Sequence, residues 1–123
     1  MSVTAAKGFT AAGVAAGLKD SGKPDVCLVV NVGPRFDAAG VFTTNRIKAA
    51  PVLWSQQVLA AGELRAVATN SGGANACTGP DGFADTHHTA EHVAGLLGCG
   101  AGEVAVCSTG LIGERLPMDL LLP

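Results

Sequence analysis

Leu64-Arg-Ala-Val-Ala-Thr-Asn-Ser-Gly-Gly-Ala-Asn-Ala-Cys-Thr-Gly79 is the stretch on which the fold turns. Its first part, 64–69, is a short apolar run that predicts a buried strand. From Asn70 onward it breaks into small residues that leave main-chain N–H groups uncovered. A second segment repeats the arrangement: Val104-Ala-Val-Cys107 predicts a strand, and Ser108-Thr-Gly-Leu-Ile-Gly113 interrupts it. Two such turns at strand ends resemble parts of a site that holds a carbonyl or carboxylate oxygen.

Between the two strands, Asp85 or Thr86 can N-cap a helix running to about Leu97. Val93, Leu96 and Leu97 supply its apolar face, and Gly98 its stop. Upstream, Pro51 suits the first position of a helix over 51–61, with Gly62 able to end it. Val26-Cys-Leu-Val-Val30 is a continuous apolar run bounded by turn residues, hence a buried strand. Residues 8–19 carry Gly13 and Gly17, which disfavour a helix and fit a closely packed strand. Asp20-Ser-Gly-Lys-Pro24 is a turn. Residues 39–44, Ala-Gly-Val-Phe-Thr-Thr, are β-branched enough to predict a further strand. Pro117-Met-Asp-Leu-Leu-Leu122 reads as a helix just beginning. Strands and helices alternate through the second half, so the expected class is α/β with a mixed sheet.

The 123 residues allow one domain at most. Hydrophobic residues make up 48% and charged residues 15%, which excludes disorder by composition. A net charge of −2 offers no basic surface for nucleic acid or an anionic membrane. Four Phe, one Trp and no Tyr are too few for a base-stacking platform. The apolar content is mostly Ala, Val and Leu, with few large side chains. That suggests a piece surrounded by more protein, the other reading being a small Ala/Gly-rich domain complete in itself. Cys27, Cys77, Cys99 and Cys107 form no Cys-x-x-Cys pair, and the N-terminus has no long apolar signal region. A cytoplasmic chain with reduced thiols and no membrane span is expected.

His88-Thr-Ala-Glu-His92 matches the H-x-x-E-H form of a zinc-protease helix. The downstream residues hold few candidates for a third ligand, so His87, His88 and His92 are read as a solvated helix face with no metal. Neither phosphate loop, G-x-x-x-x-G-K-[ST] nor G-x-G-x-x-G, is present, nor is a G-x-S-x-G elbow. A Ser/His/Asp triad from Ser71 or Ser108 has no support in the spacing. Thr109-Gly110 carries more chemistry, because a hydroxyl and consecutive amides at a strand end can stabilise an oxyanion in acyl transfer. The alternative is that Gly110 merely permits a tight turn.

Five segments carry a resemblance to a known family. They are Gly8-Phe-Thr-Ala-Ala-Gly-Val-Ala-Ala-Gly-Leu-Lys19, Ala39-Gly-Val-Phe-Thr-Thr-Asn45, Lys48-Ala-Ala-Pro-Val-Leu-Trp54, Asn70-Ser-Gly-Gly-Ala-Asn-Ala-Cys-Thr-Gly79 and Cys107-Ser-Thr-Gly-Leu-Ile-Gly-Glu-Arg-Leu-Pro-Met118. In this order, over nearly the whole chain, they resemble the N-terminal part of the α-chain of ornithine acetyltransferase, the glutamate N-acetyltransferase of arginine biosynthesis. The resemblance implies an α/β sandwich whose site works like that of N-terminal-nucleophile hydrolases. It implies a precursor that cuts itself at an Ala–Thr bond, the new N-terminal Thr of the β-chain being the nucleophile. That Thr takes the acetyl group from N-acetylornithine and passes it to glutamate through an acetyl-threonine, some members also using acetyl-CoA. The chains remain associated, commonly as α2β2, and the chemistry calls for no cofactor. The Thr-Gly that supplies the oxyanion hole corresponds to Thr109 and Gly110. Asn70 and Asn75 are read as structural.

The family's cleavage motif, nucleophilic Thr and substrate-clamping Lys match nothing in these residues. They are expected beyond Pro123, which makes residues 1–123 a single, incomplete domain. An inert truncated product, at most a binding module, is the alternative. Leu116, Leu120, Leu121 and Leu122 are expected to leave apolar surface exposed. Gly110→Val in a full-length protein is expected to abolish transfer and leave the fold largely intact. Chelators are expected to leave activity unchanged.

Overall fold

The computed structural model describes residues 2–122. Besides two short 3₁₀ turns, seven strands and α-helices follow one another among the described residues: β1 (Phe9–Val14), β2 (Val26–Asn31), α1 (Ala50–Leu59), β3 (Ala66–Asn70), α2 (Gly79–Leu97), β4 (Val104–Ser108) and α3 (Met118–Leu121). The four strands form one sheet in the order β1-β2-β3-β4. β1 and β2 are antiparallel, as are β2 and β3, whereas β3 and β4 are parallel. Parallel neighbours need a crossover, and α2 supplies it. The sheet is therefore mixed, as the alternation of elements predicts.

The register places Leu28 opposite Ala68 and Val30 opposite Ala66. Since alternate residues of a strand share a face, Leu28, Val30 and Ala66 point to one side. There they join Trp54, Val58, Ala90, Ala94, Val104 and Val106 in the core. Most of these side chains are small, so the helices approach the sheet closely and Trp54 provides the bulk. The outer edge of β4 is closed by side chains of α1. Trp54 Nε1 donates to the Val104 carbonyl at 2.9 Å. Ser55 Oγ donates to the Val106 carbonyl at 2.8 Å and accepts the Val106 N–H at 3.1 Å. These bonds satisfy strand-edge groups that would otherwise be buried unpaired or available to another strand.

Several sequence expectations are corrected. Residues 39–44 form no strand. Asp37 makes an isolated bridge to Glu63, and Val41 is 99% exposed. Strand propensity is expressed only where a neighbour offers its ladder. Residues 39–44 pair with none of the four strands. The strand expected over 8–19 stops at Val14. Helix α2 begins at Gly79, six residues before Asp85, with Pro80 in its first turn. Asp85 and Thr86 are thus buried helix-interior residues rather than caps. Gly82, which weakens the helical signal in sequence, is required sterically, since a Cβ there would overlap Thr78 Oγ1 and Asn75 Oδ1. The helix does end at Gly98, which adopts φ 67°. Leu96 is 73% exposed and is not part of a buried face. Leu116 is buried rather than exposed, at 6%. Among the described residues no helix is long and apolar enough to cross a membrane.

Candidate functional site

The two small-residue turns leave the same end of the sheet side by side. The parallel register sets Asn70 opposite Ser108, and Asn70 Nδ2 donates to Ser108 Oγ at 2.7 Å. One residue on, the Thr109 N–H donates to the Asn70 carbonyl at 3.1 Å. The turns are then stitched together by Ala74 N–H to the Leu111 carbonyl at 2.9 Å and Gly113 N–H to the Ala76 carbonyl at 2.8 Å. Gly110 lies between these ties with φ 137°, a conformation open to glycine and hardly to other residues. Among the described residues its N–H has no hydrogen-bond acceptor.

Thr109 and Gly110 are exposed, as are Leu111 and Ile112 at 66% and 69%. The Thr109 main-chain N–H is consumed by Asn70. Of the donors on Thr109 and Gly110, the Gly110 N–H and the Thr109 hydroxyl are therefore the ones left without an internal acceptor among the described residues. The amide of Thr109 is not free, since it bonds Asn70.

Asn75 is structural. It is fully buried at φ 49°, a region that Asn tolerates better than most residues. Its Nδ2 donates to the Gly82 carbonyl at 2.8 Å and to Thr86 Oγ1 at 2.9 Å, and its Oδ1 accepts from Thr78 Oγ1 at 2.7 Å. The Asn75 carbonyl accepts the Ala50 N–H at 3.0 Å, which fixes the entry to α1. Asn70 is also buried, and its Oδ1 has no partner among the described residues.

Two charged residues near the site have no role in the sequence reading. Arg115 forks onto the buried Asp85, with Nε to Oδ2 at 2.8 Å and Nη2 to Oδ1 at 2.7 Å. This bidentate pair ties the segment after Gly113 to α2, and hydrogen bonding to Asp85 reinforces the Arg115 charge. Asp25, just before β2, receives the N–H groups of Ala16, Leu18 and Lys19. The Ala16 N–H bond, helped by those from Leu18 and Lys19, holds the Asp25 carboxyl below its ordinary range against the opposing effect of burial. An acidic residue just before an apolar run is the only signal that could have marked it.

The histidines do not converge on a metal. His87 packs on Trp54 with ring centroids 4.9 Å apart, and its Nε2 lies 3.7 Å from Glu91. His88 and His92 are exposed. No group of three or more His, Cys, Asp or Glu side chains comes together among the described residues. Cys27 and Cys99 are half-buried, and Cys77 and Cys107 are exposed; all four are free thiols. A cavity of about 570 Å³ opens between α2, the sheet and α3, lined by Val26, Leu28, Asn70, Val93, Leu96 and Leu121 among others. Neither Thr109 nor Gly110 lines it.

Residues 10–123 match the ArgJ family. The chain belongs to the ArgJ family. The arginine biosynthesis bifunctional protein ArgJ of Streptomyces coelicolor is 76% identical over 123 residues, all of this chain and 32% of that protein. The ArgJ protein of Mycobacterium tuberculosis is 70% identical over 125 residues, covering 98% of this chain and 31% of that one. The chain thus spans about a third of the length of these curated relatives. The crystal structure of ornithine acetyltransferase complexed with ornithine from M. tuberculosis matches at TM-score 0.96 and 70% identity, covering 98% of this chain and 65% of that one. An ArgJ structure from Bacillus halodurans matches at TM-score 0.94 and 41% identity, covering 99% and 63%. The family resemblance read from the five segments, and the mixed α/β class, are borne out.

Proposed function

We propose that this chain forms the N-terminal part of the α-chain of a cytoplasmic ornithine acetyltransferase and contributes its oxyanion donors. The observation that carries this reading is the Gly110 N–H. It lacks an internal acceptor, sits at an exposed strand end, and is held beside the Thr109 hydroxyl by the ties to Asn70, Ala74 and Ala76. Donors fixed before reaction stabilise charge without reorganising as it develops.

In the proposed reaction a threonine hydroxyl from outside these residues attacks the acetyl carbonyl of N-acetylornithine. Negative charge moves onto the carbonyl oxygen, facing the Gly110 N–H and the Thr109 hydroxyl. The C–N bond breaks, the amine of ornithine leaves with a proton, and an acetyl-threonine ester remains. The amine of glutamate attacks that ester through the same oxyanion and departs as N-acetylglutamate. Acetyl-CoA is a second donor to be assayed. An α2β2 assembly with the β-chain completes the proposal. It invokes no metal or cofactor.

The test is a chimera in which this chain replaces the matching third of the S. coelicolor relative. It is expected to release ornithine from N-acetylornithine in the presence of glutamate. Thr109→Ala should lower kcat by about a hundredfold, the scale of one lost oxyanion donor. Full turnover in both Thr109→Ala and Gly110→Ala would remove the pair from the site.

A further inference from the structure

Asp25 is 4% exposed, yet it sits outside every motif and contacts neither Thr109 nor Gly110. Its contacts run in two directions. Toward the N-terminus, Oδ1 accepts the Ala16 N–H at 2.7 Å, and Oδ2 accepts those of Leu18 and Lys19 at 2.8 and 3.1 Å. Toward β3, its main-chain carbonyl accepts the Ser71 N–H at 2.8 Å. One residue thereby fixes both the 15–19 loop and the first residue after β3.

That loop lies directly on the glycine turn. A Cβ on Gly72 would fall 2.5 Å from Leu18 Cβ, so Leu18 occupies the space a side chain would need. On the next residue, a Cβ on Gly110 would fall 2.9 Å from both Cα and N of Gly73. Leu18, Gly72–Gly73 and Gly110 form three layers in contact, with no side chain between the second and third. Close-packed layers transmit small displacements rather than absorbing them.

We propose that Asp25 is a positioning residue for the Gly110 N–H, acting through the Leu18 loop and the Gly72–Gly73 main chain. This rests on the oxyanion reading and extends it to a residue that touches neither substrate nor the reacting atoms. The three N–H donors require an acceptor with two oxygens. An asparagine offers one oxygen and an NH₂, so at least one loop N–H would face another donor. The loop then loses its anchor, Leu18 no longer presses Gly72, and the Gly110 N–H loses its fixed direction.

The test uses the chimera with Asp25→Asn, Leu18→Ala and Thr109→Ala. For Asp25→Asn, kcat is expected to fall by about tenfold to a hundredfold, the scale of misplacement from a distance. KM should stay within about threefold, since ground-state binding is not the interaction removed. Hydrogen exchange should quicken in peptides covering 15–19, 70–76 and 107–113 while the α2 peptide 83–97 keeps its parent rate. Leu18→Ala should change the same quantities in the same direction, and it decides the matter if Asp25→Asn does not fold. Unchanged kcat in a folded variant, or exchange quickened equally in α2, would overturn the positioning role. If Thr109→Ala impairs turnover and the other two variants do not, only that role fails. If Thr109→Ala and Gly110→Ala both leave turnover intact, the oxyanion reading fails and the positioning role with it.

Discussion

Gly110 rests on Gly73 so closely that a Cβ at Gly110 would lie 2.9 Å from the Cα and N of Gly73. The obstacle is main chain, which cannot rotate away as a side-chain tip would. Any L-residue at φ 137° is strained as well. Gly110→Ala should therefore cost the chimera about 1–3 kcal/mol of stability and reduce acetyl transfer by about a hundredfold. Gly110→Val should do more of both, with the fold less intact than the sequence alone suggests. Thermal unfolding and ornithine release, measured on the same preparations, check the two effects. A Gly110→Ala protein with parent stability would show that the turn relaxes freely.

Ser55 closes the edge of β4 through one hydroxyl that both donates to and accepts from Val106. Ser55→Ala leaves a buried N–H and a buried carbonyl without partners. A loss of about 1–3 kcal/mol follows from stranding such groups. Urea unfolding of the chimera should show a lower midpoint with an unchanged slope. Since Ser55 lies away from Thr109, kcat under folding conditions should stay at the parent value.

Asn75 ties its own turn to α2 through three side-chain bonds, to Thr78, Gly82 and Thr86. Asn75→Ala removes all three side-chain bonds and puts a poorer residue at φ 49°. The expected cost is about 3 kcal/mol, at the upper end of ordinary single substitutions. Asn75→Asp tests the donor separately, because Nδ2 serves both Gly82 and Thr86. It should be nearly as damaging as Asn75→Ala, since a carboxylate would face the Gly82 carbonyl. Thermal midpoints of the two variants decide this.

The strands at β2, β3 and β4 were legible because each is an apolar run ended by Gly, Asn or Ser. Helix α1 was legible from Pro51 and Gly62. Residues 39–44 misled because β-branched composition does not reveal whether a ladder is free. The start of α2 misled because Asp85 and Thr86 look like caps, whereas Pro80 in the first turn is the stronger start signal. At the candidate site, Thr109 and Gly110 stand out through the Ser-Thr-Gly break and the family resemblance. Asp25 does not, and Arg115, though inside the Cys107–Met118 segment, shows no role there, because each acts through partners far along the chain: Ser71 in one case, Asp85 in the other. A single charged residue carries no record in sequence of what it will meet.

The Asp25 contacts also set a pH dependence. Its carboxyl is held below the ordinary value of 3.8, first by the Ala16 N–H and then by Leu18 and Lys19, with burial opposing. The folded chain therefore binds fewer protons at this group than the unfolded chain. The resulting stabilisation is fully present above the unfolded value and is lost as pH falls through the lower folded one. Asp25→Asn cannot titrate and lacks the stabilisation at every pH. The thermal midpoints of the parent chimera and Asp25→Asn should lie furthest apart near neutral pH. They should converge as pH falls below about 4, the ordinary carboxylate value, toward the lower value at which the folded carboxyl protonates. A constant separation from neutral pH into that acid range would mean that the charge on Asp25 is not what holds the 15–19 loop.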